Sequence, residues 1–387
     1  MNRREFLSLG ALGVVLPLAG EIRTSRFAPF KADGLEPRPD FWKVRPAEIM
    51  ARCEAATKCS RREIICRTPL GYPVYALFYG TFDDAPPQSN WSAGQASTTY
   101  RSYYGSRDDG VQTFLFVAGI HGAEQENVAA AMNLVQMLET GRDDRGREDP
   151  ELVSLISRYR FIVVPCVNMD GRSISPDHLR GVDFTTFRAA SQGVWQDGSL
   201  IGWRGSKDWF PLPLSRVKYP GGYPNGDGYN IQHDAAPGDI RTEEAKALLR
   251  LCARWRVDAV LNGHSYEFAP SVLSPSAIGR PEDVAREIVI RERINRALLA
   301  CGLRASPVKN ADKATGGINI NTLFSLASGA LALTLENSVS YDRPRKENAP
   351  APTRQYTFDE LMQPTFVALR EYLKDGLEKP FVRRGRS

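Results

Sequence analysis

Short apolar runs alternate with helical stripes along most of the chain. Residues 114–120 form an apolar run rich in aromatic and branched side chains, which predicts a buried strand. Residues 124–138 then place apolar side chains at helical spacing among good helix formers, which predicts a helix. Further buried strands are predicted at 160–167, 257–261 and 330–335. This alternation predicts an α/β fold with a mostly parallel mixed sheet and helices on both faces.

Two other patterns complete the predicted elements. Alternating runs at 62–66 and 72–79, joined by a turn rich in proline and glycine, predict a β-hairpin. The remaining helices are predicted at 45–58, 152–158, 242–255, 281–301, 321–327 and 358–377. Two stretches without clear periodicity, 81–110 and 173–229, predict long loop insertions. The second is dense in aromatic and basic residues and is interpreted as the rim of a substrate cleft, the alternative being an ordered cover over the core.

Length and composition are compatible with one large domain. The 387 residues are 42% hydrophobic, and we assign 44–380 to a single domain, 21–43 to an N-terminal extension and 381–387 to a basic tail. The net charge of +5 is modest, and no cluster of basic residues is interleaved with aromatic ones. Composition therefore gives no electrostatic argument for nucleic-acid binding.

The first twenty residues have the pattern of an export signal. Arg3 and Arg4 precede Phe-Leu and an apolar stretch that ends in small residues near Ala19. This pattern is similar to a twin-arginine-type signal and predicts a periplasmic or extracellular protein without stable membrane insertion after export. An uncleaved anchor stays open.

The six cysteines show no metal-binding spacing. Cys166 and Cys252 lie in apolar segments and are predicted to be buried. Pairing among Cys53, Cys59 and Cys66 is left open for an exported protein.

Histidines follow two of the predicted strands. His121 and Glu124 lie in the turn between a strand and a helix, and His264 follows a second apolar run. Open α/β sheets bind ligands at the carboxyl edge of their parallel strands. Two histidines and a carboxylate with a fourth position open form the ligand set of a catalytic zinc, so we expect one zinc ion per chain. The alternative is a surface histidine beside an acidic helix N-terminus.

Polar groups therefore mark four strand ends: His121 with Glu124, Asn168 with Asp170, His264, and Glu336. Their order and motifs resemble the zinc carboxypeptidase family (M14, carboxypeptidase A-like), over roughly residues 46–377.

The resemblance implies roles for individual residues. His121, Glu124 and His264 would be zinc ligands, and Glu336 would be the general base that takes a proton from a water molecule and returns it to the leaving amine. Asp170, in the same turn as Asn168, would orient a zinc-bound histidine by accepting its other N–H.

The chain also departs from the family pattern. Gln232 and His233 stand where the family has the Asn-Arg pair that binds a terminal carboxylate, and the tyrosine expected ahead of 314–317 is absent. Gln232, His233 and Tyr266 are the candidate substrate-binding residues. Exopeptidase action therefore stays open.

The family also uses an arginine beside the oxyanion. Arg204 is the first candidate for that role, with Arg180 and Arg216 as alternatives.

These observations predict an exported zinc metallohydrolase that cleaves an amide bond in a peptide or peptide-like substrate. A deacylase or amidase acting on a non-peptide amide is the second hypothesis. The third is a binding protein on an inactive hydrolase fold, using the aromatic stretch 173–229.

Overall fold

A mixed β-sheet runs through the part of the chain that the computed structural model describes. That part comprises residues 21–82, 110–236, 238–266, 269–276, 279, 281–306, 314, 317–338 and 355–381. The predicted export signal, residues 83–109 of the first predicted insertion, and residues 382–387 of the predicted tail lie outside it.

The strands form one large sheet and one small ribbon. In chain order they are Arg61–Arg67 (β1), Pro73–Tyr79 (β2), Thr113–Ala118 (β3), Arg160–Val164 (β4), Val194–Trp195 (β5), Val217–Tyr219 (β6), Ala259–Tyr266 (β7), Ser271–Val272 (β8) and Leu331–Ser338 (β9). Within the described residues the large sheet has the order β1-β2-β4-β3-β7-β9-β8, and β5 pairs with β6. The central strands β4, β3, β7 and β9 are parallel, and β1, β2 and β8 are antiparallel to their neighbours.

Helices cover both faces of this sheet. They are Pro46–Ala55 (α1), Gln125–Thr140 (α2), Pro150–Ser157 (α3), Met169–Ile174 (α4), Phe184–Gln192 (α5), Gly202–Asp208 (α6), Glu243–Trp255 (α7), Pro281–Ala300 (α8), Ile320–Ser328 (α9) and Phe358–Glu378 (α10). One hydrophobic core joins α1, α2, α3, α8 and α10 to one face, and a second joins α7 and α9 to the other. The prediction of a mostly parallel mixed sheet with helices on both faces is confirmed.

Two central strands are longer than predicted. The parallel register of β7 and β9 runs from Ala259 opposite Leu331 to Tyr266 opposite Ser338. His264 and Glu336 therefore lie inside these strands and not after them. The reason is that backbone pairing between the two strands continues after the apolar run has ended.

Residues 173–229 are more regular than predicted. This segment contains α5, α6 and the β5–β6 ribbon, so the prediction of an irregular loop was wrong. The side chain of Asp183 accepts a hydrogen bond from Thr186 N and caps α5. Short helices of this kind are hard to detect because glycines and aromatic residues interrupt the apolar stripe.

The N-terminal extension packs on the body of the fold. Arg23 N donates to Leu70 O and Phe30 N donates to Ile174 O, both at 2.8 Å. Trp42 is fully buried. At the other end, Phe381 of the predicted tail is also buried and packs against Tyr372. The division of the chain into signal, extension, domain and tail stays a prediction.

All six cysteines lie among the described residues, and all six are free. Cys166 and Cys252 are buried, as predicted. No helix within the described ranges combines the length and the apolar character that crossing a membrane would require.

A close approach between β7 and α2 requires a glycine at position 263. A Cβ atom on Gly263 would lie 2.6 Å from Cγ of Asn127. Asn127 cannot easily move, because its Nδ2 donates to His264 O at 2.7 Å and its Oδ1 accepts from Thr365 Oγ1 at 2.9 Å.

We therefore expect Gly263→Ala to lower the free energy of unfolding by about 1–3 kcal/mol through overpacking. Gly317→Ala is the matched control, because a Cβ atom there meets nothing within 4 Å. Chemical denaturation followed by circular dichroism measures both variants. Equal stability of Gly263→Ala and the control would contradict this packing account.

Candidate metal centre

The turn between β3 and α2 carries His121 and Glu124. Gly119 follows β3 with φ +63°, a left-handed conformation that favours glycine. Gly122 N donates to Gly222 O at 2.7 Å, and a Cβ atom on Gly122 would lie only 2.2 Å from Arg172 N. The turn is thus held tightly against the segment beside it. Glu124 was predicted as the first residue of this helix, and in the structure it is the N-cap residue, directly before α2 begins at Gln125.

Strand pairing brings the other two candidates to the same edge. β3 lies beside β7, and β7 lies beside β9. His264 is in register with Glu336, and side chains at paired positions of neighbouring strands point to the same face. This arrangement places His264 between the β3–α2 turn and Glu336.

The three candidate ligands converge on one point. His121 Nδ1 lies 2.7 Å from Glu124 Oε1, and His264 Nδ1 lies 2.9 Å from Glu124 Oε2. The two Nδ1 atoms are 3.2 Å apart, and the three side chains are buried. They form a group whose ligand atoms all lie within 4.8 Å of one another.

This group fits a tetrahedral zinc site. Two bonds of about 2.0–2.1 Å at a tetrahedral angle separate their ligand atoms by about 3.3 Å. The nitrogen–nitrogen distance of 3.2 Å is close to that value. Two imidazoles and one carboxylate are also the donor types of catalytic zinc sites. Both Nδ1 atoms also face the Glu124 carboxylate, so one cation would contact all three side chains at once.

The pKa shifts favour the metal-binding forms of His121 and Glu124 but not that of His264. Burial lowers the pKa of His121 and so favours the neutral imidazole that can bind a metal. Burial opposes the charge on Glu124, but His121 and His264 outweigh it and lower the pKa of this carboxyl. For His264, burial acts to lower the pKa, but Glu124 and Glu336 together outweigh burial. The pKa of His264 is therefore raised, which favours the charged ring. The influence of Glu336 on His264 agrees with their positions on neighbouring strands.

The second ring nitrogen of each histidine contacts a side-chain amide. His121 Nε2 lies 3.1 Å from Asn230 Oδ1, and His264 Nε2 lies 3.2 Å from Gln232 Oε1. Such contacts fix the orientation of a ring and favour the tautomer whose other nitrogen is free to bind a metal. Asn230 and Gln232 therefore occupy the role that the sequence assigned to Asp170.

The assignment of Asp170 is corrected by its contacts. Its carboxylate accepts hydrogen bonds from Thr68 Oγ1, from Leu70 N at 3.2 Å and from Gly226 N at 2.9 Å. The physical reason is its place in the first turn of α4, where its carboxylate is hydrogen-bonded to residues 68–70 and to Gly226 and not to a histidine.

Asn168 is also hydrogen-bonded to the segment that contains residues 222–226. Its Oδ1 accepts from Gly171 N and caps α4, and its Nδ2 donates to carbonyl groups of residues 222–224. Asn168 and Asp170 thus fasten the loop that leads to Asn230 and Gln232, and they influence the histidines only through it.

Gln232 belongs to a buried series of amide side chains that are hydrogen-bonded to one another. Asn262 Nδ2 donates to Gln232 Oε1 at 3.0 Å and to Asn321 Oδ1 at 2.8 Å. Asn321 Nδ2 in turn donates to Thr334 Oγ1 at 2.6 Å. Buried polar groups with partners of this kind hold one arrangement, because breaking a bond leaves an unsatisfied group.

An aromatic wall lies beside the candidate ligands. The ring of Tyr223 meets the ring of His121 edge-on, with centroids 4.4 Å apart. Trp203 packs against Tyr223 at 5.2 Å and against His233 at 6.0 Å. Burial, His121 and the cation of Lys207 lower the pKa of His233 to about 3, so this imidazole is neutral near pH 7. His233 is therefore an uncharged part of this aromatic group, and its role in substrate binding stays a prediction.

The other predicted residues lie elsewhere or have other partners. Arg204 is exposed on α6, one residue from Trp203 and so about 100° around the helix from it. Arg180 binds Glu36 and Tyr356 O, and Arg216 packs over Trp195 and Trp209. The Tyr266 hydroxyl contacts Ala269 O and Ser306 Oγ, which holds the chain after β7. These contacts bring none of the three arginines to the candidate ligands.

The predicted site residues did not include Asn230 and Tyr223, which contact His121, or Trp203 and Lys207, which extend this group outward from Tyr223. Asn230 lay inside the stretch compared with the family's carboxylate-binding motif, so its position was a usable signal. The other three lie in 173–229, where fold and not spacing decides which side chains approach the site.

The fold and the site together indicate a class of protein. A mixed α/β sheet that gathers two histidines and a glutamate at the carboxyl edge of its parallel strands has the features of a metal-dependent hydrolase. Residues 92–275 match the family model described as zinc carboxypeptidase (Peptidase_M14). This match covers a little under half of the chain, and the fold is of the carboxypeptidase type.

Solved structures of similar fold carry related names. A putative carboxypeptidase from Burkholderia mallei ATCC 23344 has a TM-score of 0.50 and 15% identity, over 85% of this chain and 66% of that one. A metallo-carboxypeptidase from Burkholderia cenocepacia has a TM-score of 0.49 and 16% identity, over 85% and 67%. One from Pseudomonas aeruginosa, in complex with (2-guanidinoethylmercapto)succinic acid, has 0.46 and 14%, over 87% and 68%.

At these identities the likeness concerns the fold. The chain spans about two thirds of the length of these three proteins. No curated protein sequence matches it significantly.

The contacts of Gln232 predict its effect on metal affinity. Gln232→Leu removes the partner of His264 Nε2, and we expect zinc affinity to fall about 10–100-fold. Asp170→Asn keeps the shape of a side chain that contacts neither histidine, and we expect less than about a threefold change. Competition titration against a fluorescent chelator measures both variants. An effect of Asp170→Asn as large as that of Gln232→Leu would restore the original assignment of Asp170.

Proposed function

We propose that this metallohydrolase cleaves an amide bond in a peptide or peptide-like substrate, with one zinc ion held by His121, Glu124 and His264. The convergence of these three side chains, with Glu336 in register beside His264, is the observation that carries the proposal. When bound, zinc would supply a Lewis acid that polarises the scissile carbonyl and acidifies water.

The chain's own residues would then move the proton. Glu336 is half-buried at the carboxyl end of β9, on the same face as His264. From there its carboxylate can take a proton from the attacking water and return it to the leaving amine as the carbon–nitrogen bond breaks. Glu124 cannot do this, because both of its oxygens face the histidines.

We expect Glu336→Gln to lower kcat by about 10²–10⁴-fold, because the amide cannot accept the proton. Zinc content should stay at the wild-type value, since Glu336 is not a proposed ligand. Glu287→Gln is the matched control: this buried glutamate on α8 meets the backbone of Ala332, four residues before Glu336 on β9, and burial raises its pKa to about 8. Hydrolysis of a blocked dipeptide is the assay. Wild-type kcat in zinc-loaded Glu336→Gln would remove Glu336 from the mechanism.

A deacylase or amidase acting on a non-peptide amide is the second candidate. The residues at the expected carboxylate-binding position favour it. The oxygen of Gln232 is already occupied by Asn262 and His264, and His233 is neutral. Neither side chain supplies the fixed charge that an arginine would supply. Comparing hydrolysis of peptides with that of acylated amines separates the two candidates.

We also propose export through the twin-arginine-type signal in residues 1–20. The arginine pair and the apolar stretch after it support this proposal. Replacing Arg3 and Arg4 together by lysine should retain the protein in the cytoplasm. Cell fractionation measures this, and unchanged export of the double variant would contradict a twin-arginine route.

A further inference from the structure

The contacts of the described residues bring none of four arginines (Arg172, Arg180, Arg204 and Arg216) to the candidate ligands as a free cation for an anionic substrate group. Arg180 and Arg216 are engaged elsewhere, and Arg204 does not share a helix face with Trp203. Arg172 lies close to the His121 turn, but it is buried and donates to the carbonyls of Gly122, Ser175 and Pro176. A substrate carboxylate would therefore need another cation.

Helix α6 carries such a cation, Lys207. Trp203 and Lys207 are four residues apart and so lie on one face of the helix. Lys207 Nζ lies 5.8 Å from the centre of the Trp203 ring, within the range of a cation–π contact. Through Trp203 this face meets Tyr223 and His233, and Tyr223 meets His121.

The helix is held in this position. Ser206 is buried, and its Oγ donates to Gln192 O at 2.8 Å, which ties α6 to the end of α5. Ile201, just before the helix, is buried with Leu212 and Val217. The face that carries Trp203 and Lys207 is therefore part of a packed unit.

The charge of Lys207 is not neutralised by the protein. No ion pair joins it to a carboxylate within the described ranges, and its side chain is exposed. After burial and His121, its positive charge is a further cause of the lowered pKa of His233, which packs against Trp203. An ammonium that is held by an aromatic ring and lacks a counter-ion can accept a carboxylate from solution.

We propose that Lys207 and Trp203 form an anion-recognition subsite on the rim of the active site, where the Lys207 ammonium binds a carboxylate of the substrate and Trp203 contacts its apolar part. This inference rests on the proposed function and assigns specificity to α6, not to Gln232 and His233. The carboxylate has two sources: the C-terminal carboxylate of a peptide, or an acidic side chain near the scissile bond.

Binding of product-like probes tests the subsite independently of turnover. N-acetyl-phenylalanine and its amide differ only in the terminal carboxylate. N-acetyl-glutamate α-amide and N-acetyl-glutamine amide differ only in the side-chain carboxylate. Calorimetry with zinc-loaded protein gives the affinity ratio of acid to amide for each pair.

In the wild type we expect one of the two acids to bind about tenfold more tightly than its amide, and the pair that discriminates identifies the source of the carboxylate. Lys207→Met should reduce that ratio to within about twofold, and Lys207→Arg should keep it. Lys218→Met, which changes another exposed lysine of the 173–229 segment, is the control and should behave as the wild type.

An unchanged ratio in Lys207→Met, or no preference for either acid in the wild type, would overturn the subsite. Repeating the titration on zinc-free protein separates carboxylate binding by Lys207 from carboxylate binding by the metal: preference that depends on zinc but not on Lys207 also overturns it. Preference that depends on Lys207 in a protein that hydrolyses no amide would keep the subsite and reject the proposed function.

Discussion

The parallel register of three neighbouring strands is the constraint on which the site depends. β3 leads into the turn with His121 and Glu124, β7 carries His264, and β9 carries Glu336 in register with it. Because these strands run in the same direction, their carboxyl ends meet at one edge, and residues distant along the chain become neighbours. A slip of one residue between β7 and β9 would turn Glu336 to the opposite face. Packing that fixes this register therefore also fixes the position of Glu336 relative to His264.

Buried polar contacts on both sides of β7 strengthen that register. Asn127 binds the carbonyl of His264 from one face, and the chain of Gln232, Asn262 and Asn321 lies on the other. Each of these groups would be costly to bury without a partner. The site is thus rigid in its strands. Within the 173–229 segment, helix α6 carries Trp203, which packs against Tyr223, and Lys207, which lies over the Trp203 ring.

Much of the fold and the centre of the site could be predicted from the sequence. Apolar runs identify the central strands, and His121, Glu124, His264 and Glu336 all follow such runs, so sheet geometry alone predicts that they meet. The assignments of Asp170 and Arg204 could not be made in this way. Both depend on how an aromatic, glycine-rich segment folds over the sheet edge. Spacing does not encode that path, and Asn230 and Gln232 reach the histidines only because of it.

The central claim is that His121, Glu124 and His264 bind one zinc ion with Glu336 facing it. Anomalous diffraction from crystals of the zinc-loaded protein, collected on both sides of the zinc absorption edge, tests this most directly. The account predicts one strong anomalous peak per chain, about 2.0–2.3 Å from both Nδ1 atoms and the Glu124 carboxylate, with Glu336 within one water of it. A peak elsewhere, or a fully loaded site with His264 turned away, would contradict it.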